Sequence, residues 1–237
     1  MMGTPVFEGV FFDLDGTLAD TAPDLVAAAN RLLIANQRAP MAYEILRPMA
    51  SAGARGLIQK SFGIYPDHPE FLALRDRFLS FYEEALLVHS KLYDGMEALL
   101  QKLEECKIPW GIVTNKQKRF TQPLTEQMGL LKRAHCVVSG DTTPHSKPHP
   151  EPILHAAHLA KVDPSRAIYI GDDIRDIVSG KAAGMQTVAA LYGYCGCEEP
   201  PHTWGADYMI HHPHDLNQIL FTNEQCNLFT KDLKYVS

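Results

Sequence analysis

VFEGVFFDLDGTL, residues Val6 to Leu18, is an apolar run that stops at two carboxylates and a glycine. Val6, Phe7, Val10, Phe11 and Phe12 are the β-branched and aromatic residues of a strand buried on both faces, which is the habit of strands in parallel sheets. In open parallel α/β sheets the sites lie beyond the carboxyl ends of the strands. If the backbone turns sharply at Gly16, Asp13 and Asp15 can face one ligand. The four letters Asp-x-Asp-Gly by themselves fit a solvated turn equally well, so the reading has to be carried by the rest of the chain.

Downstream the pattern first departs from alternation and then resumes it. From Asp20 to Ser90 nothing reads as a strand. Thr21 is placed to cap a helix bearing Leu25, Ala29, Leu32 and Leu33, and helices are expected over Tyr43 to Ala50 and Gly53 to Phe62. Asp67-His68-Pro69-Glu70 resembles a capping box opening a long helix with Phe71, Leu74, Phe78 and Tyr82 on one face. This all-helical block, residues 21–90, is expected to be an inserted second domain, with the core formed by 1–20 and 91–237. Afterwards helix and strand alternate. Strands are expected at Trp110–Val113, Cys136–Val138, Ala167–Ile170 and Thr187–Leu191, with Tyr208–Ile210 at an edge. The fold class is therefore α/β, a parallel sheet flanked by helices with a helical insertion.

Composition narrows the partners. The 237 residues are 46% hydrophobic and 21% charged, ordinary for a globular chain. A net charge of −6 argues against a nucleic-acid surface. Five cysteines without paired metal-type spacing fit a reducing compartment, and the start of the chain offers neither a signal peptide nor a membrane span. A cytoplasmic monomer or homodimer acting on a small molecule is the expectation.

Four clusters stand out: Asp13 and Asp15; Thr114 and Asn115; Lys147 in a proline-stiffened loop; and Asp172, Asp173 and Asp176. Three of them end strands, so a parallel sheet would bring them to one edge. Crowded carboxylates repel unless a cation neutralises them, and an all-oxygen set selects a hard ion, Mg2+ foremost. Lys147 and Thr114 would hold the peripheral oxygens of a phosphoryl group. Asp13 would attack phosphorus and Asp15 would move the proton.

The ordered segments DLDGTL, VTN, SKP and GDD with a further Asp three residues on resemble the four motifs of the haloacid dehalogenase superfamily, in the subclass with a helical cap between the first two motifs. The resemblance implies a Rossmann-like core, Mg2+ and an aspartyl-phosphate intermediate. It assigns Asp13 as nucleophile and Asp15 as acid and base, with the Asp15 backbone carbonyl and Asp172 also on the metal. Thr114 matches the second-motif hydroxyl and Lys147 the third-motif lysine, while Asp173 and Asp176 match acids that orient metal waters and the lysine. Through SAGARGL, HSKLYDGM, SKPHPEP, GDDIRD, YGY and WGAD the chain is similar to the phosphoglycolate phosphatase group, including bacterial N-acetylmuramic acid 6-phosphate phosphatases. A phosphatase acting on a small anionic metabolite follows.

Other readings keep the fold and change the chemistry. A sugar phosphomutase would return the phosphate, a phosphonate hydrolase would use a cap lysine such as Lys60, and a signalling receiver would hold a phosphoaspartate without turnover. Arg55, in the small-residue segment of the insertion, is the candidate reader of a substrate carboxylate. His211, His212 and His214 read as surface histidines, and Cys195 and Cys197 as reduced thiols.

Overall fold

Along the first strand Val10 and Phe12 pack into one hydrophobic cluster and Phe11 into another, as the two-residue repeat of a strand requires, and all three are fully buried. The computed structural model describes residues 4–196 and 199–222. Its central sheet comprises β1 Gly9–Phe12, β2 Trp110–Val113, β3 Cys136–Val138, β4 Ala167–Gly171, β5 Gln186–Ala190 and β6 Tyr208–Ile210. The order is β3-β2-β1-β4-β5-β6, every neighbouring pair parallel. The order reverses beside β1, so the crevice beyond the ends of β1, β2 and β4 is the place where this topology exposes a ligand site.

Besides the single helical turn Tyr43–Leu46, the α-helices among the described residues are α1 Ala22–Ala35, α2 Gly53–Phe62, α3 Phe71–Glu84, α4 Met96–Glu105, α5 Lys118–Gln127, α6 Glu151–Ala160, α7 Ile174–Ala182 and α8 Leu216–Leu220. Leu99, Leu103, Leu124 and Leu216 from α4, α5 and α8 join the Val10 and Phe12 side of the sheet, while Ile153, Ala156 and Ala157 of α6 cover Phe11, Val138 and Tyr169. Both faces are thus closed to water, and the strands accordingly carry apolar side chains in both directions.

The opening strand is shorter than its apolar run. Val6 is 51% exposed, and its N–H donates to Leu220 O rather than joining β1. Thr4–Pro5 instead forms an antiparallel ribbon with Phe221–Thr222.

Between β1 and β2 the chain is helical. Ala19–Asp20 leaves and Lys91–Leu92 returns as an antiparallel two-stranded ribbon, so both crossings run side by side. The return is pinned by Asp24 of α1, whose carboxylate accepts the N–H groups of Val88, His89 and Ser90 and the Ser90 hydroxyl. Two local expectations fail here. Pro48 cannot donate to an α-helical ladder, so the segment after Tyr43–Leu46 continues as a 3-10 helix, Arg47–Ala52, rather than one helix to Ala50. Glu70 occupies the N-cap of α3 without a side-chain cap, because the chain makes a tight turn, Phe71 N to His68 O, where the capping box needed helix. Phe71, Phe78 and Tyr82 are nonetheless buried as their spacing required, with Leu74 partly so. No helix among the described residues is long and apolar enough to cross a membrane.

Candidate active site

At the end of β1 the backbone folds back on itself: Asp13 N donates to Ile170 O, and Gly16 N donates to Ala19 O. Gly16 has φ +83°, a conformation open to glycine, and a Cβ there would overlap the Asp172 carboxylate. The glycine thus does two jobs, turning the chain and letting β4's aspartate approach. Asp13 and Asp15 end up on one side of this turn, beside the end of β4.

Lys147 is the hub. Its ammonium has four acceptors within reach of its three N–H donors, Asp13 Oδ1 at 2.9 Å, Asp176 Oδ1 at 2.6 Å, Val113 O at 2.9 Å and the Tyr169 hydroxyl at 2.8 Å, and the side chain is 3% exposed. Burial alone would pull this ammonium's pKa down, but Asp13 and Asp176 outweigh it and hold the charge firmly on. Tyr169 had been read only as strand core. It alternates to the same face as the site and donates its hydroxyl onward to Val113 O. Asn115, expected among phosphate ligands, spends its side chain on the loop: Lys147 N donates to its Oδ1 and its Nδ2 donates to Lys147 O, both at 2.9 Å. It therefore fixes the lysine, while Thr114, buried at the end of β2, lines the cavity.

Asp13, Asp172 and Asp176 each bring a carboxylate oxygen within 4.8 Å of the other two. Asp172 is completely buried; it accepts from Thr17 Oγ1 and Tyr194 N, yet burial raises its pKa well above the carboxylate range, and Asp13 and Asp176 push the same way. Such a cluster is unstable as three bare anions, and its all-oxygen donors suit a hard cation. Asp173 stands apart. It caps α7 by accepting Arg175 N, closes a capping box with Asp176, and pairs with the Arg175 guanidinium through both oxygens. That pairing holds its pKa below the usual value against the opposing effect of burial.

Asp15 has partners the sequence did not disclose. Lys116 Nζ lies 2.8 and 3.1 Å from its two oxygens, and the Thr21 hydroxyl donates to Oδ1. Lys116 is itself enclosed, 4.8 Å over the Tyr82 ring, and although burial opposes its charge, Asp15 keeps its pKa raised. Thr21, expected to cap α1, is thereby used elsewhere. The cap comes from the distant Tyr194, whose phenol oxygen accepts the N–H groups of Thr21 and Ala22 and donates to Asp20.

Above these groups lies a cavity of about 400 Å³ between the sheet edge and the helical insertion. The insertion contributes Ser51 to Ala54 and the α3 residues Arg75, Phe78, Leu79 and Tyr82; the core adds Lys116, Arg119 and Phe120. Arginine contacts are among those that join the halves, as is the Ser51 hydroxyl, which donates to Asp172. Arg175 donates to Ser51 O, and Arg47 donates to Gly193 O and Tyr192 O while stacking over Tyr194. The Tyr82 hydroxyl is buried with no hydrogen-bond partner among the described residues, and burial pushes its pKa up to about 12.

Arg55 is not in this cavity. It is exposed on α2 and, with Lys60, lines a separate hollow on the far side of the Arg175–Ser51 contact. The helical period explains the difference: Ala54 turns toward the site, and one residue later, a rotation of about 100°, Arg55 faces away. His211, His212 and His214 are exposed and outside the acidic cluster, His214 pairing with Asp215. Burial raises the Cys195 thiol to about 12, while Cys197 lies outside the described residues.

A family model described as haloacid dehalogenase-like hydrolase matches residues 10–190. Among curated proteins, N-acetylmuramic acid 6-phosphate phosphatase of Pseudomonas aeruginosa is 42% identical over 213 residues, 90% of this chain and 94% of that one. Phosphoglycolate phosphatase of Xylella fastidiosa is 42% identical over 209 residues, covering 88% and 91%. Among solved structures, one described as a predicted phosphoglycolate phosphatase from Haemophilus somnus superposes with a TM-score of 0.80 at 26% identity, covering 92% and 99%.

Proposed function

Because the chain belongs to the haloacid dehalogenase-like hydrolase family and is a phosphatase, we propose that it hydrolyses the phosphomonoester of a carboxylate-bearing sugar, N-acetylmuramic acid 6-phosphate in preference to phosphoglycolate. The observation that carries this reading is the cavity over Asp13 and Lys147. At about 400 Å³ it has the size of sites for ring-containing ligands, and Phe78, Tyr82 and Phe120 give it an apolar wall suited to a pyranose face. A two-carbon acid would leave most of it to water. Residues 21–90 then act as a cap domain on a core of 1–20 and 91–237, and the free thiols Cys106, Cys136 and Cys195 fit a cytoplasmic location.

In the mechanism Lys147 holds Asp13 by Oδ1, leaving Oδ2 without a protein donor among the described residues. Asp13 attacks phosphorus through a carboxylate oxygen; the bond from phosphorus to the sugar oxygen breaks as Asp15 protonates that oxygen. Asp15 next takes a proton from the water that attacks the phosphoaspartate, and inorganic phosphate leaves with Asp13 restored. Thr114 donates to a peripheral phosphoryl oxygen, and Lys147, held by its protein partners, supplies fixed positive charge beside the phosphoryl group. Asp13, Asp172 and the Asp15 backbone carbonyl would hold Mg2+, with Asp176 beside them, and the ion when bound supplies charge neutralisation for the transferring group. Lys116 and Thr21 orient Asp15. The test is phosphate release from both acids, with Mg2+ and with chelator. The reading expects kcat/KM for the sugar acid to exceed that for phosphoglycolate by about tenfold or more, in line with a filled apolar pocket, and activity to vanish with chelator. A preference for phosphoglycolate would overturn it.

A further inference from the structure

The cations that line the cavity divide into those already engaged and those that are not. Lys147 is held by Asp13 and Asp176, Lys116 by Asp15, and Arg175 by Asp173. Arg119, in the first turn of α5, has no carboxylate partner among the described residues; its guanidinium lies 4.4 Å over the neighbouring Phe120 ring and lines the cavity. Arg75, facing the cavity from α3 of the insertion, pairs only with its sequence neighbour Asp76, and both side chains are well exposed, 41% and 65%. An exposed pair of that kind is weak and readily exchanged.

Arg119 also adjoins the aromatic wall of the cavity, and Arg75 lines the same cavity from the insertion. The Phe120 ring packs 5.5 Å from the Tyr82 ring, and Tyr82 underlies Lys116, the partner of Asp15. One continuous aromatic wall therefore leads from the proton-transfer residue to Arg119. We propose that Arg119, with Arg75 opposing it from the insertion, binds the carboxylate of the substrate, the role the sequence had suggested for Arg55. The inference rests on the sugar-acid reading above. A carboxylate lying against guanidinium groups of both halves is recognised only when core and insertion are together, so specificity is coupled to closure.

The test compares N-acetylmuramic acid 6-phosphate with N-acetylglucosamine 6-phosphate, the same phosphorylated sugar without the lactyl ether that carries the carboxylate. The readout is the ratio of their kcat/KM values in the wild-type enzyme, Arg119→Ala, Arg75→Ala and Arg119→Lys. Charged hydrogen bonds of this kind predict a roughly ten- to hundredfold fall in the ratio for each alanine variant. Lysine keeps the charge without the fork and restores only part. An unchanged ratio, or a parallel fall on both sugars, overturns the assignment. If the wild-type enzyme hydrolyses neither sugar, the substrate reading itself has failed; the same variants are then compared on phosphoglycolate and an aryl phosphate. Selective loss on the acid supports the arginines and parallel loss overturns them.

Discussion

Lys116 and Asp15 form a nearly enclosed ion pair, with side chains 7% and 15% exposed, and this makes their coupling measurable. In Lys116→Met the alkyl stem still covers Tyr82, but Asp15 keeps only the Thr21 hydroxyl. Removing one partner of a buried pair typically costs about 3–5 kcal/mol. The residual exposure of Asp15 and its Thr21 bond set the expectation at the lower end, about 3 kcal/mol, or a fall in melting temperature of about 6–12 °C for a chain of this size. Asp15→Asn alone strands the lysine and should cost a similar amount. The double variant removes both charges and should recover most of the loss, giving a coupling energy of at least about 2 kcal/mol. Urea unfolding in the presence of chelator, with unchanged m-values, measures all four corners. Additivity within about 0.5 kcal/mol would refute the claim that these two groups hold each other.

Two further outcomes follow from the same site. Burial raises the pKa of Asp172 in the native state above its unfolded value of about 3.9, so the native chain binds a proton that the unfolded chain releases; without metal, stability should fall as pH rises above about 4 and through the raised native pKa. Mg2+ competes with that proton, so the melting temperature should rise more on adding Mg2+ at the upper end of that range, by about 5–10 °C at a hundredfold excess over Kd. Equal rises at both ends of the range would exclude the Asp172 cluster as the binding site. Tyr82→Phe removes a buried hydroxyl with no protein partner among the described residues; the melting temperature should not fall, whereas kcat/KM for the sugar acid should drop by about two- to tenfold if the hydroxyl serves the ligand. A lower melting temperature with unchanged kinetics would contradict this.

The strands and the acids at their ends were legible because both are local signals: an apolar run is interrupted by carboxylates, and a parallel sheet does the rest. Trp110–Val113 and Cys136–Val138 fall where expected for that reason. Asp13, Lys147, Asp172 and Asp176 are brought together by topology that the alternation of elements implied. What escaped depends on distant pairs. Lys116 directly follows the Thr114-Asn115 pair, and its place at a strand end was the available signal, but nothing local says that a lysine there folds onto Asp15. Tyr194 caps α1 from 172 residues away, which no window of sequence discloses. Arg55 lies outside the cavity because composition marks a segment as able to approach a ligand, whereas helical phase decides which of its residues faces it.

Phosphate release by Asp13→Asn, measured beside the wild-type enzyme on the preferred substrate with Mg2+, tests the central claim most directly. The amide is nearly isosteric, and Lys147 keeps Asp176 as a partner, so the fold should persist. Loss of a covalent nucleophile predicts a fall of at least about a thousandfold in kcat. A folded Asp13→Asn enzyme retaining more than about a few per cent of wild-type turnover, far above that expectation, would contradict the account.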